Sequence, residues 1–216
     1  MTRDGNQIMS LSLQYASARS NCEYWTVLTR ATMLRLCYCF GFNVFKYCVY
    51  SDGFLRHLLK ILSEDSVIVS DTNALSCMLS SLLSVVRVRV CSITDSNKVA
   101  KLAHRLRCTK SCIQLDVWAS LLSRVKYKHL VFAIATSPTS LLRVLELTRA
   151  LAISPSAIIA CCVGVVNCDV SKRKLWLSAF NVPFLLIRGK LGGVAFGAAV
   201  LNSFKHCYAG VGNVME

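Results

Sequence analysis

A three-layer αβα sandwich around a parallel sheet of about five strands is what this sequence predicts. Three observations carry the prediction. From Val67 to His206, apolar β-type runs alternate with amphipathic helical runs, as in a sheet whose strands are joined by helical crossovers. The last third holds three strand–turn–helix units in series: IATSPTSLLRVLEL at 134–147, IIACCVGVVNCDVSK at 158–172 and VPFLLIRGKLGGVAFGAAVLNSF at 182–204. The third packs Gly189, Gly192 and Gly193 into its turn. Such a turn presents backbone N–H groups to an anionic ligand at the C-terminal edge of the strands.

Residues 1–62 read as a helical N-terminal part, with helices at 7–20, 23–39 and 52–62. Strands are expected at 67–71, 87–93, 130–136, 157–163 and 184–188. Helices are expected at 73–84, 98–107, 109–124, 138–150, 169–179 and 194–206. Pro138 suits the first turn of its helix, where a missing N–H costs nothing, and Asp169 is placed to cap the next one. The tail 207–216, with Gly210 and Gly212, is expected to be loose. No linker or low-complexity tract divides the 216 residues, so a single domain over 1–216 is expected.

Lys plus Arg number 25 against 11 Asp plus Glu, a formal charge of +14. That excess points to a polyanionic partner, whether nucleic acid, acidic lipid or a ligand with several carboxylates. A merely solvated basic surface is the other reading. The cations are spread along the chain, and the aromatics at Tyr38 to Tyr50 are interleaved only with Lys46. A nucleic-acid-binding α/β domain, which needs clustered cations beside exposed aromatics, is therefore the remote alternative. The 12 cysteines include no C-x-x-C pair, and no secretory leader is read at the start, where Arg3 and Asp4 stand. Cys37, Cys48, Cys91 and Cys112 lie among apolar neighbours and read as small buried hydrophobes in a reducing cytoplasm. Adjacent Cys161 and Cys162 lie within a strand and must face opposite sides. No metal site is expected. Residues 150–168 lack charge, but Ser154, Pro155, Ser156, Gly164 and Asn167 interrupt them, so a buried strand is expected rather than a membrane span.

An ordered set of short motifs runs along nearly the whole chain. It starts with Arg3-Asp4-Gly5-Asn6, Tyr50-Ser51-Asp52-Gly53-Phe54, Val69-Ser70-Asp71-Thr72-Asn73 and Val90-Cys91-Ser92-Ile93-Thr94-Asp95. It continues with Cys108-Thr109-Lys110-Ser111, Ala135-Thr136-Ser137-Pro138-Thr139-Ser140, Val163-Gly164-Val165-Val166, Ser171-Lys172, Arg188-Gly189-Lys190-Leu191-Gly192-Gly193 and Asn202-Ser203. In this order and at this spacing they resemble the precorrin-8X methylmutase family, isomerases of the cobalamin pathway. The resemblance implies a flavodoxin-like fold and a homodimer with active sites near the subunit interface. It implies movement of a methyl group from C11 to C12 of a corrinoid ring without a cofactor, giving hydrogenobyrinate, or cobyrinate from the cobalt form. The polycarboxylate corrinoid it implies agrees with the positive charge, and contacts with other enzymes of that pathway are part of the same expectation.

On the matched positions the resemblance marks Ser12, Thr32, Thr109, Lys110, Ser111, Thr139, Arg188, Lys190, Gly192 and Gly193 as substrate-binding. Its central histidine, in a helix ending Arg-x-x-His, protonates the ring as the methyl shifts. The best local match is Met33-Leu34-Arg35-Leu36-Cys37, which places Arg35 at the histidine position; a register slip gives Cys37 or Tyr38 instead. Arg35 cannot act as a general acid near pH 7, because guanidinium holds its proton. It can stabilise developing charge or hold the substrate. A catalytically impaired, corrinoid-binding member is therefore the alternative function. Lys110 replaces a family arginine, Ala135 a glycine, Thr136 an asparagine and Val170 a glutamate. His57 is the nearest substitute acid in sequence; His104, His129 and His206 read as surface or element-end residues. Asp71 reads either as a helix cap or as a site residue.

Overall fold

The computed structural model describes residues 4–19, 26–41, 44–79, 82, 88–122, 124, 126–178 and 180–211. Helices α1 (Gly5–Arg19) and α2 (Val27–Phe40) open the chain. Thr26 caps α2, its hydroxyl accepting from the N–H of Thr29 at 3.3 Å. A 3-10 turn (Val44–Tyr47) leads into β1 (Cys48–Tyr50) and α3 (Phe54–Leu62). Then follow β2 (Ser66–Ser70), α4 (Asn73–Met78), β3 (Val88–Cys91), α5 (Asn97–Leu106) and α6 (Lys110–Leu122). The chain closes with β4 (His129–Ile134), α7 (Pro138–Arg149), β5 (Ala157–Ala160), α8 (Cys168–Trp176), β6 (Phe184–Ile187) and α9 (Val194–Val211).

The strands form one sheet in the order β1-β6-β5-β4-β2-β3. The five expected strands pair in parallel. A sixth, β1, adds to the edge antiparallel to β6, with Cys48 opposite Ile187 and Tyr50 opposite Leu185. A strand of three residues shows no alternation to read; its pairing is set by the ladder it meets.

Successive side chains of a strand point to opposite faces, and both faces here are covered. Ile68, Val131, Ala133, Ile159 and Leu185 meet Leu36, Leu58, Leu75, Phe196 and Phe204 of α2, α3, α4 and α9. Val67, Val69, Phe132, Ile134 and Ile158 meet Leu115, Leu141, Val144 and Leu175 of α6, α7 and α8. This is why LVFAI of β4 and AIIA of β5 read as unbroken apolar runs. Cys161 joins the first core and Cys162 the second, and burial pushes both thiols up. Cys37 is buried, and Cys48, Cys91 and Cys112 are half-buried, while Cys39, Cys77 and Cys108 are exposed.

Several expectations need correction. Asp169 does not cap α8: Asn167 holds the N-cap position, with φ +62° and no side-chain capping bond, and Asp169 sits in the first turn, accepting from Arg173 Nε at 2.7 Å. The last helix continues to Val211, so residues 207–211 are helical where a loose tail is expected; an alanine- and valine-rich helix with no proline has no stop signal at His206. Within the expected helix 73–84, α4 ends at Met78, and residues 80–81 and 83–84 lie outside the described ones. Residues 150–167 form a turn, β5 and the following loop, and no described helix is long and apolar enough to cross a membrane.

Candidate functional site

The parallel strands all end at one edge of the sheet, so the loops after β2, β3, β4, β5 and β6 converge there. Asp71, directly after β2, is fully buried. Its carboxylate accepts from the N–H groups of Ala135 (2.9 Å), Thr136 (2.9 Å) and Ser137 (2.7 Å) and from the Thr136 hydroxyl (2.8 Å). Thr72, not Asp71, caps α4, accepting from the N–H of Ala74 at 3.3 Å. Asp71 thus fixes the loop from which Pro138 starts α7. Asp71→Asn leaves one acceptor oxygen and turns an NH2 group toward N–H donors. It is expected to cost about 2–4 kcal/mol of stability, measured by urea unfolding. A change under about 0.5 kcal/mol would contradict this role.

On that loop the hydroxyl of Thr139 bonds those of Ser137 at 2.7 Å and Thr109 at 2.8 Å. Thr109 also accepts from the N–H of Cys112 at 3.2 Å, which places it at the N-terminus of α6. The start of α6 and the start of α7 are therefore joined side by side. Lys110 is exposed beside this junction and Ser111 half-buried. Two helix N-termini, hydroxyls and an ammonium make a setting for a carboxylate.

The loop after β6 is built differently. Lys172 of α8 is 1% exposed, and its ammonium donates to the carbonyls of Gly189 at 3.0 Å and Leu191 at 2.6 Å. The Gly193 N–H donates to the Cys161 carbonyl at 2.7 Å, drawing the turn against the end of β5. At Gly192, with φ +141°, a Cβ would lie 2.1 Å from the Cys161 carbonyl oxygen. Arg188 is tied through its N–H to the Tyr47 carbonyl at 2.7 Å, and its guanidinium lies 5.4 Å from the centre of the Trp176 ring. Arg188 and Lys190 line one cleft together with Lys46, Lys172 and Arg173.

The N-terminal candidates bond within and between α1, α2 and α9. The Ser12 hydroxyl donates to the Ile8 carbonyl within α1 at 2.8 Å. Thr32 is fully buried, bonded to the Leu28 carbonyl and, at 3.0 Å, to Ser203 of α9; it fastens α2 to α9. Arg30 donates to Ser17 at 2.6 Å and joins α2 to α1. Arg35 is half-buried, its guanidinium 5.8 Å from the Tyr38 ring centre. Cys37 faces the core, while Tyr38 is exposed. Arg35 and Tyr38 are therefore one turn apart on the outer side of α2.

His57 and His129 lie away from the loop edge. The Nε2 of His57 lies 2.9 Å from the Ser156 carbonyl, just before β5 and so at the opposite end of the sheet. His129 begins β4 and meets Glu64 at 2.9 Å. His104 is exposed on α5, and the side chain of His206 lies outside the described ones. Among the described residues no group of three or more His, Cys, Asp or Glu side chains converges. Sequence reasoning missed the cross-loop role of Asp71, the carbonyl contacts of Lys172, and Trp176. The first two lie inside matched motifs, which was the available signal; nothing local marks Trp176.

The family model for precorrin-8X methylmutase matches residues 7–207. A precorrin-8X methylmutase of Sinorhizobium sp. is 29% identical over 209 residues, covering 93% of this chain and 94% of the relative. One of Pseudomonas aeruginosa is 32% identical over 114 residues, covering 53% of this chain and 52% of that protein. A solved precorrin-8X methylmutase from Thermus thermophilus superposes with a TM-score of 0.80 at 20% identity, covering 95% of this chain and 98% of that one. A precorrin-8X methylmutase related protein gives 0.76 at 20% identity, covering 91% and 100%. These likenesses agree with the flavodoxin-like α/β architecture. The family model, extending from α1 to α9, and the nearly full-length relative together place the chain in the precorrin-8X methylmutase family.

Proposed function

We propose that the chain is a precorrin-8X methylmutase: an isomerase that moves a methyl group from C11 to C12 of a corrinoid ring, giving hydrogenobyrinate, or cobyrinate from the cobalt form, in cobalamin biosynthesis. The observation that carries it is the match over residues 7–207, on a fold whose converging loops hold cations suited to a polycarboxylate ring. The corrinoid lies over the loop edge. Thr109, Lys110, Ser111 and Thr139 hold one carboxylate, and Arg188 and Lys190 another. Gly192 and Gly193 shape the turn that carries these two cations. Each charge-assisted contact contributes roughly 1.5–3 kcal/mol.

Arg35 stands at the acid position and does not supply a proton, so turnover is slow. Ser12 and Thr32 act from α1 and α2, Thr32 by fixing α2 on α9. The working unit is a single domain in a cytoplasmic homodimer. Its interface uses the exposed aromatics Tyr38, Phe40, Tyr47 and Tyr50. Contacts with neighbouring enzymes of the pathway belong to the same reading. The nucleic-acid alternative has no support in the family match.

Purified protein incubated with precorrin-8X tests the proposal, since the isomerisation changes the chromophore. A spectral conversion supports it. A ligand spectrum perturbed but never converted makes the chain a binding protein, and no change at all rejects both. Lys110→Glu is expected to weaken corrinoid affinity by at least about tenfold, read by absorbance titration. Unchanged affinity would remove Lys110 from the site.

A further inference from the structure

The turn at Arg188–Leu191, the 3-10 turn Val44–Tyr47 and one side of α8 enclose a cleft of ≈ 830 Å³. That is ample for part of a large ligand. Its lining carries Lys46, Lys172, Arg173, Arg188 and Lys190 against a single carboxylate, Asp169. Asp169 is already engaged by Arg173 at 2.7 Å. Among the described residues no ion pair neutralises the other four cations.

Lys172 is the informative one. At 1% exposure it is held by two backbone carbonyls, at 3.0 and 2.6 Å. The two carbonyls accept from two of its three N–H groups and supply no counter-charge. A buried charge lacking a counter-ion raises the free energy of its surroundings and makes the adjoining cleft strongly positive. An anion entering the cleft provides the missing charge. Beside it, Trp176 backs the Arg188 guanidinium at 5.4 Å. A cation–π contact uses none of the guanidinium's hydrogen bonds, so its N–H fork remains available to a carboxylate. The ladder pairing Cys48 with Ile187 keeps the Lys46 wall and the Arg188 wall in fixed register. Leu177, Leu186 and Leu191 complete the lining and give the cleft an apolar component that inorganic phosphate would leave unused.

We infer that this cleft is a subsite for a carboxylate-bearing arm of a tetrapyrrole. Lys46, Arg188 and Lys190 contact the carboxylate, Lys172 supplies buried positive charge, and Trp176 acts as the residue that positions Arg188. The inference rests on the corrinoid reading above and adds Lys46, Lys172 and Trp176 to it.

The test uses uroporphyrin, a tetrapyrrole with acetate and propionate arms, and its fully esterified counterpart, together with KM for precorrin-8X. Lys46 and Arg188 are exposed and Trp176 is 44% exposed, so variants there should fold, as circular dichroism and Tm would verify. The acid form is expected to bind and the ester to bind at least about tenfold more weakly. Lys46→Gln and Arg188→Gln should each weaken the acid form about tenfold and raise KM. Trp176→Phe should retain more affinity than Trp176→Leu. Competition by millimolar inorganic phosphate as effective as that by the porphyrin acid would overturn the inference, because a simple anion site would then suffice. Turnover of precorrin-8X with KM and porphyrin affinity unmoved in all three positions would also overturn it while leaving the methylmutase reading intact. Failure of the unaltered protein to bind uroporphyrin or precorrin-8X at all would remove both.

Discussion

Gly192→Ala should lower Tm by roughly 10 °C and abolish corrinoid binding. An added Cβ would lie 2.1 Å from the Cys161 carbonyl oxygen and 2.7 Å from its carbon, both backbone atoms that no side-chain rotation relieves. The φ of +141° adds backbone strain of about 1–3 kcal/mol. The turn must therefore lift off the end of β5, breaking the Gly193 N–H bond to the same carbonyl and pulling Gly189 and Leu191 from the Lys172 ammonium. A total of about 3 kcal/mol or more corresponds to that Tm change in a chain of this size. Gly189→Ala is the control. Its φ of +69° is strained for alanine, but nothing lies within 4 Å of the new Cβ, so a loss of about 1 kcal/mol is expected. Equal effects at the two positions, by calorimetry, would show that close approach to Cys161 does not matter.

Arg35→His is expected to raise turnover by about 10²-fold or more, with corrinoid affinity within about tenfold of the unaltered protein. A histidine at this position titrates near neutrality and can release a proton where guanidinium cannot. Arg35→Ala should instead weaken binding, through loss of a cation facing carboxylates. The arrangement on α2 supplies the competing outcome. Tyr38 lies one turn away, with its ring 5.8 Å from the Arg35 guanidinium carbon, and a phenol is also a proton donor. If Tyr38→Phe eliminates turnover and Arg35→His does not raise it, Tyr38 is the aligned acid. His57 is poorly placed for that role, since it meets the Ser156 carbonyl at the far end of β5.

The parallel strands were legible because burial on both faces leaves long apolar runs, such as IIA at the heart of β5, punctuated by turn residues. The strand β1 was not, because its three residues are recruited by β6 rather than by their own pattern. The start of α8 is unreadable for a related reason: Asn167 and Asp169 are equally good capping residues by type, and the turn after β5 puts Asn167 at the N-cap position, at positive φ. In the site, the residues marked by the resemblance fell into three groups that spacing alone could not separate. Thr109, Lys110 and Thr139 meet at two helix starts, Arg188 and Lys190 line the cleft with Lys46, and Thr32 is committed to Ser203. Which of them touch is decided by which strand ends lie side by side, a property of the sheet order and not of any local run. Buried Lys172 and Asp71 could be noted in sequence, but their partners, backbone groups and the Thr136 hydroxyl, lie on distant loops.

The most direct measurement follows the methyl group itself. Precorrin-8X carrying a carbon-13 label in the C11 methyl is mixed with a stoichiometric amount of the purified protein and observed by NMR. The account predicts that the label leaves the C11 environment and appears at C12, slowly in the unaltered protein and faster in Arg35→His. A label that remains at C11 in both proteins, while the corrinoid is demonstrably bound, would contradict it.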